Sequence, residues 1–186
     1  MKSYLITDPL FYGQDAVTLN DQLQSVLKNH MPDFALFRDK QTSEYLLLAR
    51  TFFEVCRLNH VPKVLLHGDY RLAHDLGADG IHLTSSGFEA IAKAKALGLY
   101  VIISTHTHDE ALKAQTLGVD AITYSPIFPS PDKGEPKGLE DLKRIVDKIR
   151  IPIFALGGIL SQEQITAVEA TGAYGFASIR YFINVG

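Results

Sequence analysis

Short apolar runs recur along this chain, and a stretch with helical periodicity follows almost every one. The runs are Tyr4–Thr7, Phe34–Phe37, Lys63–Leu66, Gly80–Leu83, Leu99–Ile103, Val119–Tyr124, Ile151–Leu156 and Tyr174–Ser178. Brief and largely uncharged, they have the pattern of parallel strands buried on both faces. Between them the spacing predicts helices at Val17–Asn29 (Leu19, Leu23, Val26 and Leu27 on one face), Tyr70–Leu76, Phe88–Leu97, Leu139–Ile149 and Gln162–Ala170, the last capped by Ser161. Another helix runs from a Thr42 or Ser43 cap to Leu58, with Leu46, Leu47, Phe53 and Val55 supplying apolar surface. A further one opens at Thr107, whose Glu110 partner makes a capping box, and closes at Gly118.

Segments 76–83, 117–124 and 171–178 share one logic: a glycine ends a helix in the left-handed conformation and the chain turns tightly into a strand. Strand and helix alternate from end to end without a linker-like segment. This pattern predicts a (β/α)8 TIM barrel, one domain over residues 1–186, in preference to an open doubly wound sheet. Only Ile179–Gly186 follow the last strand, so the last helix is truncated. Tyr181, Phe182, Ile183 and Val185 are expected to complete the shell as a stub or to seal a homodimer contact.

Composition changes this picture little. With 46% hydrophobic residues, 21% charged residues and a net charge of -3, there is no electrostatic case for nucleic acid or an anionic membrane. No run is long and apolar enough to predict a membrane span. The opening MKSYLITDP continues as a strand and not as a signal peptide. Cys56 is the single cysteine, which excludes an internal disulfide and fits a reducing cytoplasm; its apolar helical setting predicts burial.

The candidate chemistry falls just after the strands, on what becomes one rim of a barrel. Gly157-Gly158 lets backbone N–H groups approach an oxyanion, and Ser178-Ile179-Arg180 after the next strand is its partner in a phosphate cradle. Arg38 and Lys40 share a facing by alternation and suit a phosphate or carboxylate, while Lys133 in a proline-rich loop closes over an anion. Ser104 and His106 likewise share a facing, with Ser125 on the neighbouring strand end. An imidazole there moves protons near neutral pH; a Ser–His nucleophile needs a third group and an oxyanion hole that the sequence does not specify. His82 lies inside a strand, either as a proton donor or as a satisfied core histidine. His67, His82, His106 and His108 come from separate segments without a dense ligand motif, which ranks proton transfer above a zinc site.

Six motifs then stand together: Tyr4-Leu-Ile-Thr-Asp8, Phe37-Arg-Asp-Lys40, Gly77-Ala-Asp-Gly-Ile-His-Leu83, Ser104-Thr-His106, Ser125-Pro-Ile-Phe-Pro129 with Lys133, and Ile151-Pro-Ile-Phe-Ala-Leu-Gly-Gly-Ile159. In order and spacing the chain resembles the thiamine phosphate synthase and TenI family over essentially its full length. The resemblance implies a barrel that binds a thiazole phosphate. In the synthase branch it also implies coupling to a hydroxymethylpyrimidine pyrophosphate with Mg²⁺, and Arg38, Lys40, Ser104 and Lys133 match the positions that handle pyrophosphate. The chain departs from that branch at three places. His67-Gly68 replaces an Asn-Asp pair that supplies a magnesium ligand, Gly87 stands near the second magnesium aspartate, and Leu36 replaces a pyrimidine-contacting glutamine. Asp69 is one residue out of place.

Leu83-Thr-Ser-Ser-Gly-Phe88 looks instead like the TenI branch, which implies an aminothiazole tautomerase whose acid/base histidine matches His106. The expectation is therefore a cofactor-free tautomerase acting on a thiazole carboxylate phosphate. Gly157, Gly158 and Ser178–Arg180 would hold the phosphate, Arg38 and Lys40 would face the carboxylate, and Ser104 would orient. The alternatives are a divergent synthase whose Mg²⁺ relies on Asp69, and a barrel that binds thiazole or thiamine phosphates without turnover.

Overall fold

Side chains on a strand alternate between its two faces, and here that alternation is closed into a cylinder. A computed structural model describes residues 1–131 and 133–183. Eight parallel strands pair in chain order: β1 (Lys2–Ile6), β2 (Phe34–Phe37), β3 (Lys63–His67), β4 (Gly80–Leu83), β5 (Tyr100–Thr105), β6 (Ala121–Tyr124), β7 (Ile153–Leu156) and β8 (Gly175–Ser178). The last strand returns to the first, with Lys2 opposite Gly175 and Leu5 opposite Ser178. The sheet is thus the expected (β/α)8 barrel and not an open sheet.

Around it lie α1 (Pro9–Tyr12), α2 (Ala16–Asn29), α3 (Tyr45–Leu58), α4 (Tyr70–Asp75), α5 (Ile91–Ala96, entered through a 3₁₀ turn at Phe88–Ala90), α6 (His108–Thr116), α7 (Gly138–Lys148) and α8 (Gln162–Glu169). After β8 the described chain makes only a turn, in which the Ile183 N–H donates to the Arg180 carbonyl. Phe182 is buried there against Phe176, while Val185 lies outside the described residues.

Period-two alternation divides the apolar residues into two shells. Tyr4, Ile6, Phe34, Leu36, Leu65, Ile102, Ala121, Phe154 and Ala177 fill the barrel, while Leu5, Ala35, Val64, Ile81, Val101 and Ile122 face the helices. The inward columns do not stop where the ladders do. Leu36 is succeeded by Arg38 and Lys40, Ile102 by Ser104 and His106, and Thr123 by Ser125, so polar side chains emerge together at the carboxyl-terminal mouth.

Local details differ from expectation for identifiable reasons. Helix α1 was not foreseen: the Asp8 carboxylate caps it at the Leu10 N–H, and Pro9 occupies its first turn. Neither Thr42 nor Ser43 caps α3, because the Thr42 hydroxyl accepts the Glu44 N–H within the preceding turn and Glu44 takes the cap position without a side-chain bond. Leu46 and Leu47 are half exposed, since the buried stripe of α3 consists of Leu48, Ala49, Phe52, Phe53, Val55 and Cys56. Strand β7 starts only at Ile153, after Pro152, which has no N–H for the ladder. Gly77, Gly118 and Gly172 do turn the chain with positive φ (71°, 81° and 84°).

Phe154 is fully buried between Tyr4, Phe34 and Tyr174, at ring-centroid distances of 5.3, 5.0 and 5.3 Å. Phe154→Ala is expected to lower the unfolding free energy by about 3–5 kcal/mol in denaturant titration. A loss below ~1 kcal/mol would contradict a close-packed barrel interior.

Candidate active site

The mouth of the barrel encloses a cavity of about 360 Å³. Ile6, Leu36, Leu156 and Ile179 give it an apolar lining. Arg38, Lys40, His67, His82, Ser104, His106, Ser125, Lys133, Gly157, Gly158, Ser178 and Arg180 bring polar groups to the same space. Of the site candidates singled out from the sequence, Asp69 and His108 are absent from this lining; the Asp69 carboxylate caps α4 through the Arg71 and Leu72 N–H groups. Asp69 thus stands at a helix end outside the cavity lining, with Oδ1 engaged.

One end of the cavity is backbone. Gly157 and Gly158 have φ of 102° and 68°, and the loop after β6 lies directly across them. A Cβ on Gly158 would stand 2.5 Å from the Pro129 carbonyl oxygen, and one on Gly157 2.9 Å from Pro126 Cα. The loop is fastened there by the Ile127 and Phe128 N–H groups, which donate to the Leu156 and Gly157 carbonyls at 3.0 Å each. The diglycine therefore serves a tight crossing as well as exposing backbone. Among the described residues, the N–H groups of Gly158, Ile179 and Arg180 donate to no protein acceptor, the arrangement an oxyanion requires. The Ser178 hydroxyl is engaged otherwise than expected: it donates to the Ile159 carbonyl at 2.9 Å and accepts the Tyr181 N–H at 3.1 Å. Ser178 thus shapes the turn without offering its side chain to a ligand.

The same mouth carries a group of cations. Arg38 faces Asp8 at 3.5 Å. Burial, then the nearby charges of Arg38 and Lys133, hold the Lys40 ammonium below the usual lysine range. Burial, then the charges of Arg38 and Lys40 just after β2, push the His67 imidazole down to about 4. Like charges crowded this way gain from an anion placed among them.

His106 is held on both sides. Its N–H donates to the Glu110 carboxylate, which reaches one residue beyond the Thr107 N–H of the expected capping box, while the Thr107 hydroxyl accepts the Glu110 N–H at 3.1 Å. Its ring Nδ1 lies 3.2 Å from the Ser125 carbonyl oxygen and 3.3 Å from the Ser125 hydroxyl. A carbonyl only accepts, so Nδ1 carries the proton and the Nε2 lone pair is left for the cavity. Ser125, and not Ser104, is thus the residue that orients His106.

Ser104 bonds to His82 instead, Oγ to Nε2 at 3.0 Å, and His82 Nδ1 meets the Tyr4 hydroxyl at 2.8 Å. His82 is buried with both ring nitrogens satisfied; burial, His67 and Arg38 push it down to about 3. It is a satisfied, neutral core histidine. Tyr4, Thr84, Ser85 and Ser130 complete the surroundings and were not anticipated. Thr84 and Ser85 directly follow β4 and were findable by the same strand-end rule, whereas Tyr4 reads as an ordinary apolar strand residue.

Among the described residues the cavity offers a magnesium ion no pair of carboxylates, since Asp8 is the one acidic residue that lines it. Both oxygens of Asp8 are taken, one by the α1 cap and one by Arg38, while Asp39 and Asp69 lie outside that lining and accept backbone N–H groups through Oδ1. Nor do the histidines converge: His108 pairs with Asp141 at 3.2 Å, and among the described residues no three His, Cys, Asp or Glu side chains form a metal-holding group.

Fold and mouth define a (β/α)8-barrel protein with a small-molecule cavity at the carboxyl ends of its strands. Residues 3–182 match the family model described as thiamine monophosphate synthase, and the chain belongs to that family. It is 34% identical over 179 residues to the thiamine-phosphate synthase of Levilactobacillus brevis, covering 90% of this chain and 80% of the relative. It is 32% identical over 185 residues to that of Clostridium novyi, covering 96% and 88%. The solved structure of thiamine phosphate pyrophosphorylase from Pyrococcus furiosus superposes with a TM-score of 0.82 at 26% identity, covering 96% of this chain and 85% of that one. Among the described residues no helix is long and apolar enough to cross a membrane.

His67 and His82, held at about 4 and about 3, take a proton less readily folded than unfolded, where 6.5 applies. The unfolded chain therefore binds the extra protons below 6.5, and stability falls as pH drops through that window. Urea midpoints should decline between neutral pH and pH ~4, and less steeply in His82→Gln. Equal slopes in the two proteins would contradict the buried, neutral state of His82.

Proposed function

We propose that this family member is a thiazole tautomerase, which moves a proton within a thiazole carboxylate phosphate so that the ring becomes aromatic. The observation that carries the proposal is the imidazole of His106, fixed by the Ser125 carbonyl at Nδ1 and lining a cavity in which the one described carboxylate, Asp8, is taken by Arg38 and a helix cap. The N–H groups of Gly158, Ile179 and Arg180 suit the phosphate, and Arg38, Lys40 and Lys133 suit the carboxylate. His106 Nε2 takes a proton from one carbon and returns it to another carbon of the same molecule, so the reaction balances without a co-reactant. The electron pair released in between is drawn toward the carboxylate, where the fixed cations stabilise it. Aromatisation supplies the driving force, which leaves the protein to position, bind and relay one proton.

A second reading is favoured by the relatives named thiamine-phosphate synthase and by the same cation group, which matches pyrophosphate-handling positions. In that reading the protein joins the thiazole phosphate to a hydroxymethylpyrimidine pyrophosphate. The names of the relatives support this second reading more than the first, and what supports the first is that among the described residues no group of three His, Cys, Asp or Glu side chains is placed to hold a metal.

His106→Ala is expected to slow tautomerisation about 10²- to 10⁴-fold, with binding of thiazole phosphate retained in calorimetry. Turnover unchanged by the replacement would overturn the mechanism. Thiamine phosphate formed from both substrates and Mg²⁺ would assign the synthase reaction instead.

A further inference from the structure

The barrel interior carries one polar chain that the proton transfer does not use. Tyr4 is fully buried among aromatic rings, including Phe34 and Phe154, and its hydroxyl meets His82 Nδ1 at 2.8 Å. His82 Nε2 meets Ser104 Oγ at 3.0 Å, and Ser104 lines the cavity. Counting hydrogens fixes the direction of this chain. If Tyr4 accepted from Nδ1, its own O–H would be left buried without a partner, so the phenol donates and Nδ1 accepts. A neutral imidazole then carries its proton on Nε2 and donates it to Ser104. This is the reverse of a nucleophilic triad, in which Nε2 must be free to take the serine proton.

We infer that Tyr4 and His82 are positioning residues that leave the Ser104 O–H free to donate to the ligand. The pocket thereby offers a hydrogen-bond donor at that point, suited to a ligand atom with a lone pair such as a ring nitrogen or a carboxylate oxygen. The inference rests on this cavity being the thiazole phosphate site proposed above. The direction of the chain does not, since it is readable in the ligand-free protein.

The test begins with the ¹⁵N spectrum of His82 in the wild-type protein at neutral pH. A proton on Nε2 and a bare Nδ1 are expected; a proton on Nδ1 overturns the inference, whatever the variants do. Affinity for 4-methyl-5-(2-hydroxyethyl)thiazole phosphate is then measured by calorimetry for Tyr4→Phe, Ser104→Ala and the double variant. Each single change should weaken binding about three- to tenfold, and the double variant no further, because Tyr4 acts through Ser104. Additive losses overturn the inference. Should the wild type fail to bind this ligand, the site assignment falls, while the spectrum still decides the chain's direction.

Discussion

Everything at the mouth of this protein depends on a steric constraint lower down: in a closed parallel barrel, every second side chain must point inward. Tyr4, Phe34, Leu65, Ile102 and Phe154 satisfy it with apolar volume, and the packing of these rings fixes how the strands face. Because the backbone continues in the same alternation beyond the ladders, the next inward residues are aimed by the core beneath them. Leu36 aims Arg38, Ile102 aims Ser104, and Ser104 is in turn succeeded by His106. A rigid interior thus becomes a set of converging polar groups with little dependence on loop flexibility.

Electrostatics then gives the mouth its character. Cations after β2 and in the loop after β6 crowd together, unpaired amides after β7 and β8 line the same mouth, and the His106 imidazole is held between strands β5 and β6 by the Ser125 carbonyl. Asp8, Asp39 and Asp69 at the rim accept from backbone amides, and Asp8 also from Arg38, so these acids shape loops and helix ends. Membership of the thiamine monophosphate synthase family sets the chemistry of the expected ligands, and this distribution of charge is what motivates the proposed proton transfer.

Much of this is legible in the sequence, because strands buried on both faces leave a strong apolar signature and polar residues after them fall on one rim. The barrel, the diglycine turn, the Arg38–Lys40 facing and the position of His106 follow from that rule alone. Pairings between distant strands do not. Ser104 is two residues from His106, yet bonds to His82 across the sheet, while the carbonyl that orients His106 belongs to Ser125 on the next strand. Ser178 looked like a phosphate ligand because it ends β8, but its side chain faces outward to the Ile159 carbonyl. Leu46 and Leu47 show the same limit in a helix, where a run of consecutive leucines hides which of them face inward.

Metal dependence of tautomerisation is the most direct measure of the central claim, that fixed cations and one imidazole suffice in this mouth. Turnover of the thiazole carboxylate phosphate should be the same in excess chelator and in millimolar Mg²⁺. Activity abolished by the chelator and restored by Mg²⁺ would contradict it.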